Sequence, residues 1–209
     1  MSPVQRDGAA EEAAARVGRA SRATGETKVD VRWNLDGTGD AEIATGVPFL
    51  DHMLEQIARH GRFDLVVAAS GDLEVDAHHT VEDVGIALGR AFKDAISGGA
   101  GIFRYADAHA PLDEALVLAV VDVSGRPFLR YAVPLARQRL GAYDTDLTEE
   151  FFRAFAVNAG ITLHLMLLHG RNAHHIIEAA FKAVALALDR ATGRDPRVAG
   201  VPSTKGTLE

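Results

Sequence analysis

The sequence predicts an α+β fold of two similar halves, each with a mixed β-sheet and two helices, and with the helices packed between the sheets. Three observations lead to this prediction. Strand-like and helix-like patterns occur twice in the same order, a His-His motif recurs at matching positions, and 47% of the 209 residues are hydrophobic with 24% charged. That composition is ordinary for a globular protein, and the length suffices for one large domain or two small fused ones.

The first half follows a segment without a convincing apolar stripe, and residues 1–21 are predicted to be a flexible tail. Alternation in ETKVDVRWNLDGTGDAEIAT, with its DGTG turn, predicts a hairpin with strands near 26–35 and 40–45. GVPFLDHMLEQIARHG has helical apolar spacing and ends at Gly61. FDLVVAASGDLEVD predicts two more strands around a Ser-Gly-Asp turn, and HHTVEDVGIALGRAFKDAI predicts a second amphipathic helix.

The second half repeats these patterns. LDEALVLAVVDVSGRPFLRYAVP predicts two strands, LTEEFFRAFAVNAG a helix, ITLHLMLLHG a strand and NAHHIIEAAFKAVALALDRATG a second helix, before a final loop, VPSTKGTLE. The predicted order is strand–strand–helix–strand–strand–helix, twice, in one domain over 22–209 with halves near 22–108 and 109–209.

The two halves also share residues. The segment DAHHTVE at 76–82 corresponds to NAHHIIE at 172–178, an offset of 96, and Glu150 falls 98 residues after His52. A repeat of pattern and residues together indicates an internal duplication.

The repeated HHxxE motif is typical of a metal site. His78 and Glu82 are four residues apart and project from one helix face, whereas His79 lies about 100° round the helix. The second copy repeats this arrangement at His174, His175 and Glu178. One such motif alone would more often be a surface or capping feature, but two matching copies favour metal binding. With no cysteine in the chain, imidazole and carboxylate ligands suit Mn, Fe, Co, Ni or Zn, and the carboxylates favour Mn or Fe.

Basic side chains stand near the ends of the predicted elements, although the chain carries a net charge of −7. Arg104, Arg126 and Lys182, together with the Ser203–Gly206 loop and its Lys205, form a set that suits an oxyanion such as phosphate. Taken singly, each is more typical of a solvated surface charge. The loop lacks the glycine frame of a Walker motif.

Composition argues against two classes of partner. The acidic balance disfavours nucleic-acid binding, which requires clustered positive charge, and no apolar run approaches the roughly 20 residues of a membrane helix. The first residues have no apolar core of the kind found in a secretory signal. A cytoplasmic protein is therefore expected.

An ordered series of motifs runs from about Arg22 to Leu208 and comprises RATGET, LDGTG, TGVPFLDHML, GDLEVDAHHTVED, PLDEAL, DVSGRP, ITLHL, NAHHIIEAAFKA and VPSTKG. This series resembles the imidazoleglycerol-phosphate dehydratase family of histidine biosynthesis. The resemblance implies a hydro-lyase that converts D-erythro-imidazoleglycerol phosphate to imidazole acetol phosphate. It further implies two Mn(II) ions per active site and a 24-subunit homo-oligomer built from trimers, with sites assembled between subunits.

The same resemblance implies two sets of metal ligands. One ion would take His78, Glu82 and His175, and the other would take His52, His79, His174 and Glu178. Glu150 stands where the family often has a histidine, and by the duplication it is the counterpart of His52. It is predicted to complete the first set, with His164 or water as the alternative.

Substrate contacts are implied in the same way. Gln56 and His60 fall where the family lines its substrate pocket, and Glu26 matches a glutamate of the acid/base chemistry. Asp113 is a second catalytic candidate, for which a carboxylate in a hydrogen-bonded turn is an equal interpretation. The phosphate contacts would be Arg104, Arg126, Lys182, Ser203 and Lys205.

The expected mechanism begins with the substrate ring held as an imidazolate between the two metals. Loss of the adjacent hydroxyl would give a diazafulvene-like intermediate whose next carbon is acidic, with Glu26 shuttling the proton. Two alternatives are a different metal-dependent lyase or hydrolase on this scaffold, and a non-enzymatic metal-buffering or cage-forming protein.

Overall fold

The computed structural model describes residues 15–208, which fold into four α-helices and ten β-strands. In chain order the elements are β1 (Val17–Ala23), β2 (Thr27–Asn34), β3 (Ala41–Ala44), α1 (Pro48–Gly61), β4 (Asp64–Gly71), α2 (His78–Ile96), β5 (Tyr105–Leu112), β6 (Ala115–Asp122), β7 (Phe128–Ala132), β8 (Arg139–Leu140), β9 (Tyr143–Asp144), α3 (Leu147–Ala159), β10 (Thr162–His169) and α4 (Ala173–Thr192).

Two four-stranded sheets have the same topology, which confirms the predicted duplicated α+β fold. The first sheet has the order β1-β2-β4-β3 and the second has the order β5-β6-β10-β7. In each sheet the last pair, β3 with β4 and β7 with β10, is parallel and the other pairs are antiparallel. Strands β8 and β9 form a separate short hairpin before α3.

The four helices pack on the inner faces of the sheets and against one another. Helix α2 lies on β1 and β2, and α4 lies on β5 and β6. Helix α1 packs against α4, whereas α2 packs against α3. Because α1 corresponds to α3 and α2 corresponds to α4, these two pairs are equivalent under the duplication.

One continuous hydrophobic core joins the halves. Its largest side chain, Trp33 on β2, is fully buried. Its ring lies edge-on to Phe63 at 5.3 Å and to Phe92 at 5.5 Å, and it stacks on Phe155 of α3 at 6.0 Å between centroids. A tryptophan of the first half is therefore packed on a helix of the second half.

The ends of α1 and α3 confirm the offset between the halves. Arg62 and Gly160, which follow these helices, both adopt the left-handed conformation. Their backbone N–H groups donate to Ala58 O and Ala156 O respectively, a common way to satisfy the last carbonyls of a helix. Each of these residue pairs is 98 apart, the same separation as His52 and Glu150.

The strand order differs from the predicted one. Each half has three strands, a helix, a strand and a helix, and the second half adds the short β8–β9 hairpin before α3. Strands β1 and β5 and this hairpin were not predicted, and β1 begins inside the segment predicted as a tail. Residues 1–14 of that predicted tail lie outside the described residues. Strand β1 carries little apolar signal because it contacts α2 through Gly18, where a Cβ atom would lie 1.8 Å from Ala91 O.

The strand predicted after the Ser-Gly-Asp turn is absent. Residues Leu73 and Val75 are 37% and 68% exposed, and the Val75 N–H donates to Asp72 O at 2.8 Å within a turn. The alternating apolar residues of LEVD do not pack against a sheet, so the prediction of a second strand there was wrong.

The outer faces of the two sheets differ in chemistry. On the first sheet, β2 presents Lys28, Asp30 and Arg32, whereas on the second sheet the equivalent positions of β6 are the half-buried Leu116, Leu118 and Val120. The exposed aromatic rings of Tyr105 and Phe128 lie on strands of the same second sheet. Within residues 15–208, no helix combines the length and apolar character needed to cross a membrane.

Candidate metal and substrate site

Three predicted metal ligands converge where α1 meets α4. The Nε2 atoms of His52 and His174 lie 3.2 and 3.1 Å from the same carboxylate oxygen of Glu178, Oε2. All three potential ligand atoms lie within 4.8 Å of one another. We call His52, His174 and Glu178 the α1–α4 cluster.

Local structure explains how these side chains meet. His174 and Glu178 are one turn apart at the start of α4, as their spacing predicted, and Asn172 caps the helix by accepting the His174 N–H at 2.9 Å. The His174 ring packs edge-on against Phe49 of α1 at 5.2 Å. The third member comes from the neighbouring helix, so the cluster depends on the packing of α1 against α4.

Glu178 is ionised despite its burial. Only 8% of the residue is exposed, and burial alone would raise its pKa. The Lys182 ammonium, 2.6 Å from Oε1, and the hydrogen bonds of His52 and His174 hold the pKa of Glu178 below its ordinary value. Two imidazole nitrogens and one carboxylate oxygen, with no sulfur, are a donor set that fits a borderline divalent cation.

The equivalent helix pair carries the corresponding residues. Helix α2 begins with His78 and has the half-buried Glu82 one turn later, while α3 carries Glu150. His78 and Glu150 line a common cavity of about 300 Å³. The Glu150 carboxylate also pairs with Arg153 at 3.4 Å. Glu150, which is predicted to act as a metal ligand where the family often has a histidine, therefore lines the same cavity as His78.

The second histidine of each motif points to a different carboxylate. The His79 Nδ1 atom lies 3.0 Å from Asp72 Oδ2 and 3.8 Å from Glu26 Oε2, and the hydrogen bond with Asp72 raises the pKa of His79. Within residues 15–208, His79 groups with Asp72 and Glu26 rather than with the α1–α4 cluster. A single chain therefore does not assemble the complete predicted set of His52, His79, His174 and Glu178.

His175 is held in a similar way. Its Nδ1 atom lies 2.8 Å from Glu114 Oε2, and this hydrogen bond raises the pKa of His175. The other oxygen of Glu114 accepts the backbone N–H groups of Asn172 at 2.7 Å and Arg171 at 3.1 Å. Together, the Asn172 amide, His175 and the Arg171 amide lower the pKa of Glu114 to about 2. Asp113 is mostly exposed, with an oxygen 4.0 Å from His175 Nε2.

Three predicted substrate residues lie beside the α1–α4 cluster. Gln56 Nε2 is 3.5 Å from His52 Nδ1 and donates to His52 O at 3.3 Å. Burial and the positive charge of Lys182 lower the pKa of His60. His60 is therefore biased toward the neutral form near this cation, and Lys182 itself is engaged by Glu178.

The other predicted phosphate contacts gather elsewhere. The buried Arg104 donates to both oxygens of Asp122, at 2.8 and 3.3 Å, and to Pro202 O at 2.8 Å. Arg126 lies 3.9 Å from the same Asp122. In the adjoining loop, Ser203 Oγ accepts the Lys205 N–H at 3.2 Å. We call Arg104, Arg126, Ser203 and Lys205 the basic loop cluster.

The two clusters lie at opposite ends of α4. Arg104 N–H donates to Ala191 O near the end of this helix, whereas His174 stands in its first turn. At a rise of about 1.5 Å per residue, these two helix positions are about 25 Å apart. One chain therefore does not bring all of its predicted substrate contacts together.

His164, the alternative ligand, lies on the outer face of the second sheet. Its ring is 5.7 Å from that of Phe128, and its neighbours Leu163 and Leu165 fill the inner face. Sequence reasoning did not single out Asp72 or Glu114. The available signals were the strand-ending Ser-Gly-Asp turn and the position of Glu114 next to Asp113.

Comparison with known proteins gives a consistent result. The family profile described as Imidazoleglycerol-phosphate dehydratase matches residues 45–188. A curated protein of that name from Symbiobacterium thermophilum is 60% identical over 195 residues, covering 93% of this chain and 94% of the relative. One from Thermobifida fusca is 57% identical over 195 residues, covering 92% and 99%.

Solved structures agree with these relatives. The imidazoleglycerol-phosphate dehydratase of Staphylococcus aureus superposes with a TM-score of 0.78 at 37% identity, covering 86% of this chain and 99% of the other. The Pyrococcus furiosus structure, a complex with (S)-C348, gives a TM-score of 0.77 at 36% identity, with coverage of 90% and 99%.

Proposed function

Because the chain belongs to the imidazoleglycerol-phosphate dehydratase family and is a hydro-lyase, we propose that it dehydrates D-erythro-imidazoleglycerol phosphate to imidazole acetol phosphate in L-histidine biosynthesis with divalent metal. The observation that carries the metal dependence is the α1–α4 cluster, in which two imidazole Nε2 atoms and a carboxylate oxygen converge. Competing roles as another metal-dependent lyase or hydrolase, or as a metal-buffering cage, become outcomes of the test below.

Each of the two equivalent helix pairs, α1 with α4 and α2 with α3, supplies one set of metal ligands. The α1–α4 cluster would hold one ion together with His79 of another subunit. The equivalent residues His78, Glu82 and Glu150 would hold the second ion together with His175 of another subunit. Bound metal, in our proposal two Mn(II) ions per active site, would supply Lewis acidity that favours the imidazolate form of the substrate ring, the form in which the ring can assist loss of the adjacent hydroxyl.

The chain's own groups supply proton transfer and orientation. Glu26 has a carboxylate that is 57% exposed and 3.8 Å from His79. We assign it removal of the proton from the carbon next to the ring-bearing carbon and delivery of a proton to the ring-bearing carbon when the enol becomes the ketone. Asp113, exposed beside His175, is a second candidate for this task. Gln56 and His60 line the ring pocket, and Lys182 keeps Glu178 ionised for its role as a ligand.

Phosphate binding falls to the basic loop cluster of a different subunit. The clusters lie about 25 Å apart along α4, whereas three carbons with bonds of roughly 1.5 Å separate the substrate ring from its phosphate. One substrate cannot reach both clusters of one chain, so the site is shared. The apolar outer face of the second sheet, where the first sheet is charged, supports burial against another copy. We propose a 24-mer built from trimers, in the cytoplasm.

The decisive measurement is formation of imidazole acetol phosphate by the full chain before and after metal removal. Chelation is expected to abolish turnover, and added Mn(II) is expected to restore it. Glu26→Gln should lower kcat by about 100-fold or more while the bound metal is unchanged, whereas Glu42→Gln, at an exposed position on β3, should behave like the unsubstituted chain.

Two outcomes would contradict the proposal. Full turnover by the chelated protein would show that the reaction does not require metal. A chain that binds Mn(II) and assembles but turns over other phosphate esters, or none, would favour the alternative lyase or hydrolase, or the metal-buffering cage.

A further inference from the structure

The second histidine of each HHxxE motif has its Nδ1 atom against a carboxylate. Asp72 lies 3.0 Å from His79 Nδ1, and Glu114 lies 2.8 Å from His175 Nδ1. An ionised carboxylate can only accept, so Nδ1 carries the hydrogen in both residues. The free electron pair of each ring is then on Nε2, the atom that would face a metal.

The two carboxylates do not occupy equivalent positions. Glu114 immediately precedes β6, and its counterpart is Glu26, which immediately precedes β2. Asp72 immediately follows β4, and its counterpart is Gly170, which immediately follows β10. The same contact is therefore made from the end of a strand in one half and from the start of a strand in the other.

Packing explains why the contact cannot come from the same place. A Cβ atom at Gly170 would lie 2.7 Å from Ile176 Cγ1 and 3.1 Å from Ala115 Cβ. A side chain there would require these neighbours to move, which disfavours an aspartate at this position. In the second half, the carboxylate for the histidine must come from another element.

We propose that Asp72 and Glu114 are positioning residues that fix His79 and His175 with Nε2 free for metal. The proposal rests on the metal-dependent function above. It also explains why Glu26 is available for proton transfer, because Asp72 holds the histidine that Glu26 would otherwise hold. The duplicated glutamates have thereby taken different tasks, positioning for Glu114 and proton transfer for Glu26.

The two carboxylates should respond differently to conversion into amides. Glu114 Oε1 accepts two backbone N–H groups, from Arg171 and Asn172, so Glu114→Gln would keep its oxygen there and turn its NH₂ toward His175. That NH₂ can only donate, which forces the hydrogen of His175 onto Nε2 and blocks the metal. Both oxygens of Asp72 lie near His79 Nδ1, at 3.3 and 3.0 Å, so Asp72→Asn can still present an oxygen.

The test measures Mn(II) binding to the chelated full chain, with free Mn(II) counted from its electron paramagnetic resonance signal. Glu114→Gln and Asp72→Ala are each expected to weaken one class of sites by about 10- to 100-fold. Asp72→Asn should bind Mn(II) like the unsubstituted chain. Glu74→Gln, an exposed residue two positions after Asp72, is the matched control.

Thermal unfolding of the metal-free variants separates positioning from a structural role. Unchanged Tm with weakened binding supports the proposal, whereas unchanged binding in Glu114→Gln and Asp72→Ala overturns it. If Glu114→Gln alone unfolds, the two Asp72 variants test the proposal instead. Equal weakening of Mn(II) binding in Asp72→Asn and Asp72→Ala would then count against a positioning role. If the unsubstituted chain binds no Mn(II), the proposed function fails instead.

Discussion

Asp64, at the start of β4, organises the DGTG turn with one carboxylate. Its oxygens accept the Thr38 N–H at 2.7 Å, the Asp40 N–H at 3.3 Å and an N–H of the Asn34 side chain at 3.0 Å. Burial raises the pKa of Asp64, but these donors outweigh it and hold the pKa below 3.8. The ionised form is therefore the one that stabilises the fold.

Asp64→Ala should lower the free energy of unfolding by about 1.5 to 3 kcal/mol at pH 7, since it removes hydrogen bonds to a charged acceptor. A lowered folded-state pKa contributes stability above the unfolded value of about 3.9 and loses it as pH falls through the folded value. The difference between variant and unsubstituted chain should therefore shrink at pH 3. Urea unfolding at both pH values, with Glu42→Ala as control, checks this, and an undiminished difference at pH 3 would refute it.

At this scale, contacts within a helix are predictable and contacts between elements are not. The spacing of His174 and Glu178 predicts one face, and their 3.1 Å contact confirms it. Asp72 and Glu114 escape such reasoning because their partners are seven and sixty-one residues away. The roles of Glu26, Asp113 and the predicted phosphate contacts stay predictions.

Helix α2 approaches α3 through two glycines one turn apart. A Cβ atom at Gly85 would lie 2.8 Å from Phe151 O, and one at Gly89 would lie 2.6 Å from Phe155 O. The equivalent positions in α4, 96 residues later, are Phe181 and Ala185. The two helix pairs are thus equivalent in topology but differ in how closely their backbones approach.

Gly89→Ala should destabilise the protein even though alanine favours a helix by about 1 kcal/mol over glycine. The added methyl group must displace backbone atoms of α3, and such overpacking costs about 1 to 3 kcal/mol. We expect a lower Tm by calorimetry. The control is Gly25→Ala in the turn between β1 and β2, where no atom lies within 4 Å of an added Cβ. A Tm at or above that of the unsubstituted chain for Gly89→Ala would show that the helices separate freely.

Helices were predicted better than strands because the apolar pattern of a helix repeats over more residues than that of a strand. Helix α1 ends at Gly61 as predicted. Strands β1 and β5 were missed, since β1 packs through Gly18 and carries no alternating hydrophobic signal. The false strand at Leu73–Asp76 shows the opposite error, an alternating pattern with no sheet beside it.

At the scale of the molecule, the chain carries two partial sets of proposed metal ligands and, about 25 Å from one of them along α4, the proposed phosphate contacts. The duplication predicted matching halves, and the shared core confirms that they pack together. How copies assemble could not be derived from periodicity, because it depends on the outer faces of sheets whose strand order was not predicted. Shared sites are instead inferred from the distance along α4.

Shared sites predict complementation between two inactive variants. His174→Ala removes a proposed metal ligand, and the double variant Arg126→Ala with Lys205→Ala weakens the basic loop cluster. Mixed oligomers would contain some sites with an intact metal set from one chain and an intact loop from another. Co-expression should therefore restore part of the turnover that each variant lacks alone.

The control is a mixture of the two variants that were expressed and assembled separately. Each oligomer in that mixture contains only one variant, so it lacks sites that combine an intact metal set with an intact loop. Dehydration measured on the purified mixed oligomers checks the prediction. Activity no greater than that of the separately assembled mixture would mean that each site draws on one chain.

The packing of Trp33 offers a direct optical probe of this architecture. It is the chain's single tryptophan, and its indole lies between Phe92 of the first half and Phe155 of the second. Its emission comes from one place, the junction between the duplicated units. A red shift in that emission would therefore report separation of the halves, while changes confined to the distant loops would leave the spectrum unchanged.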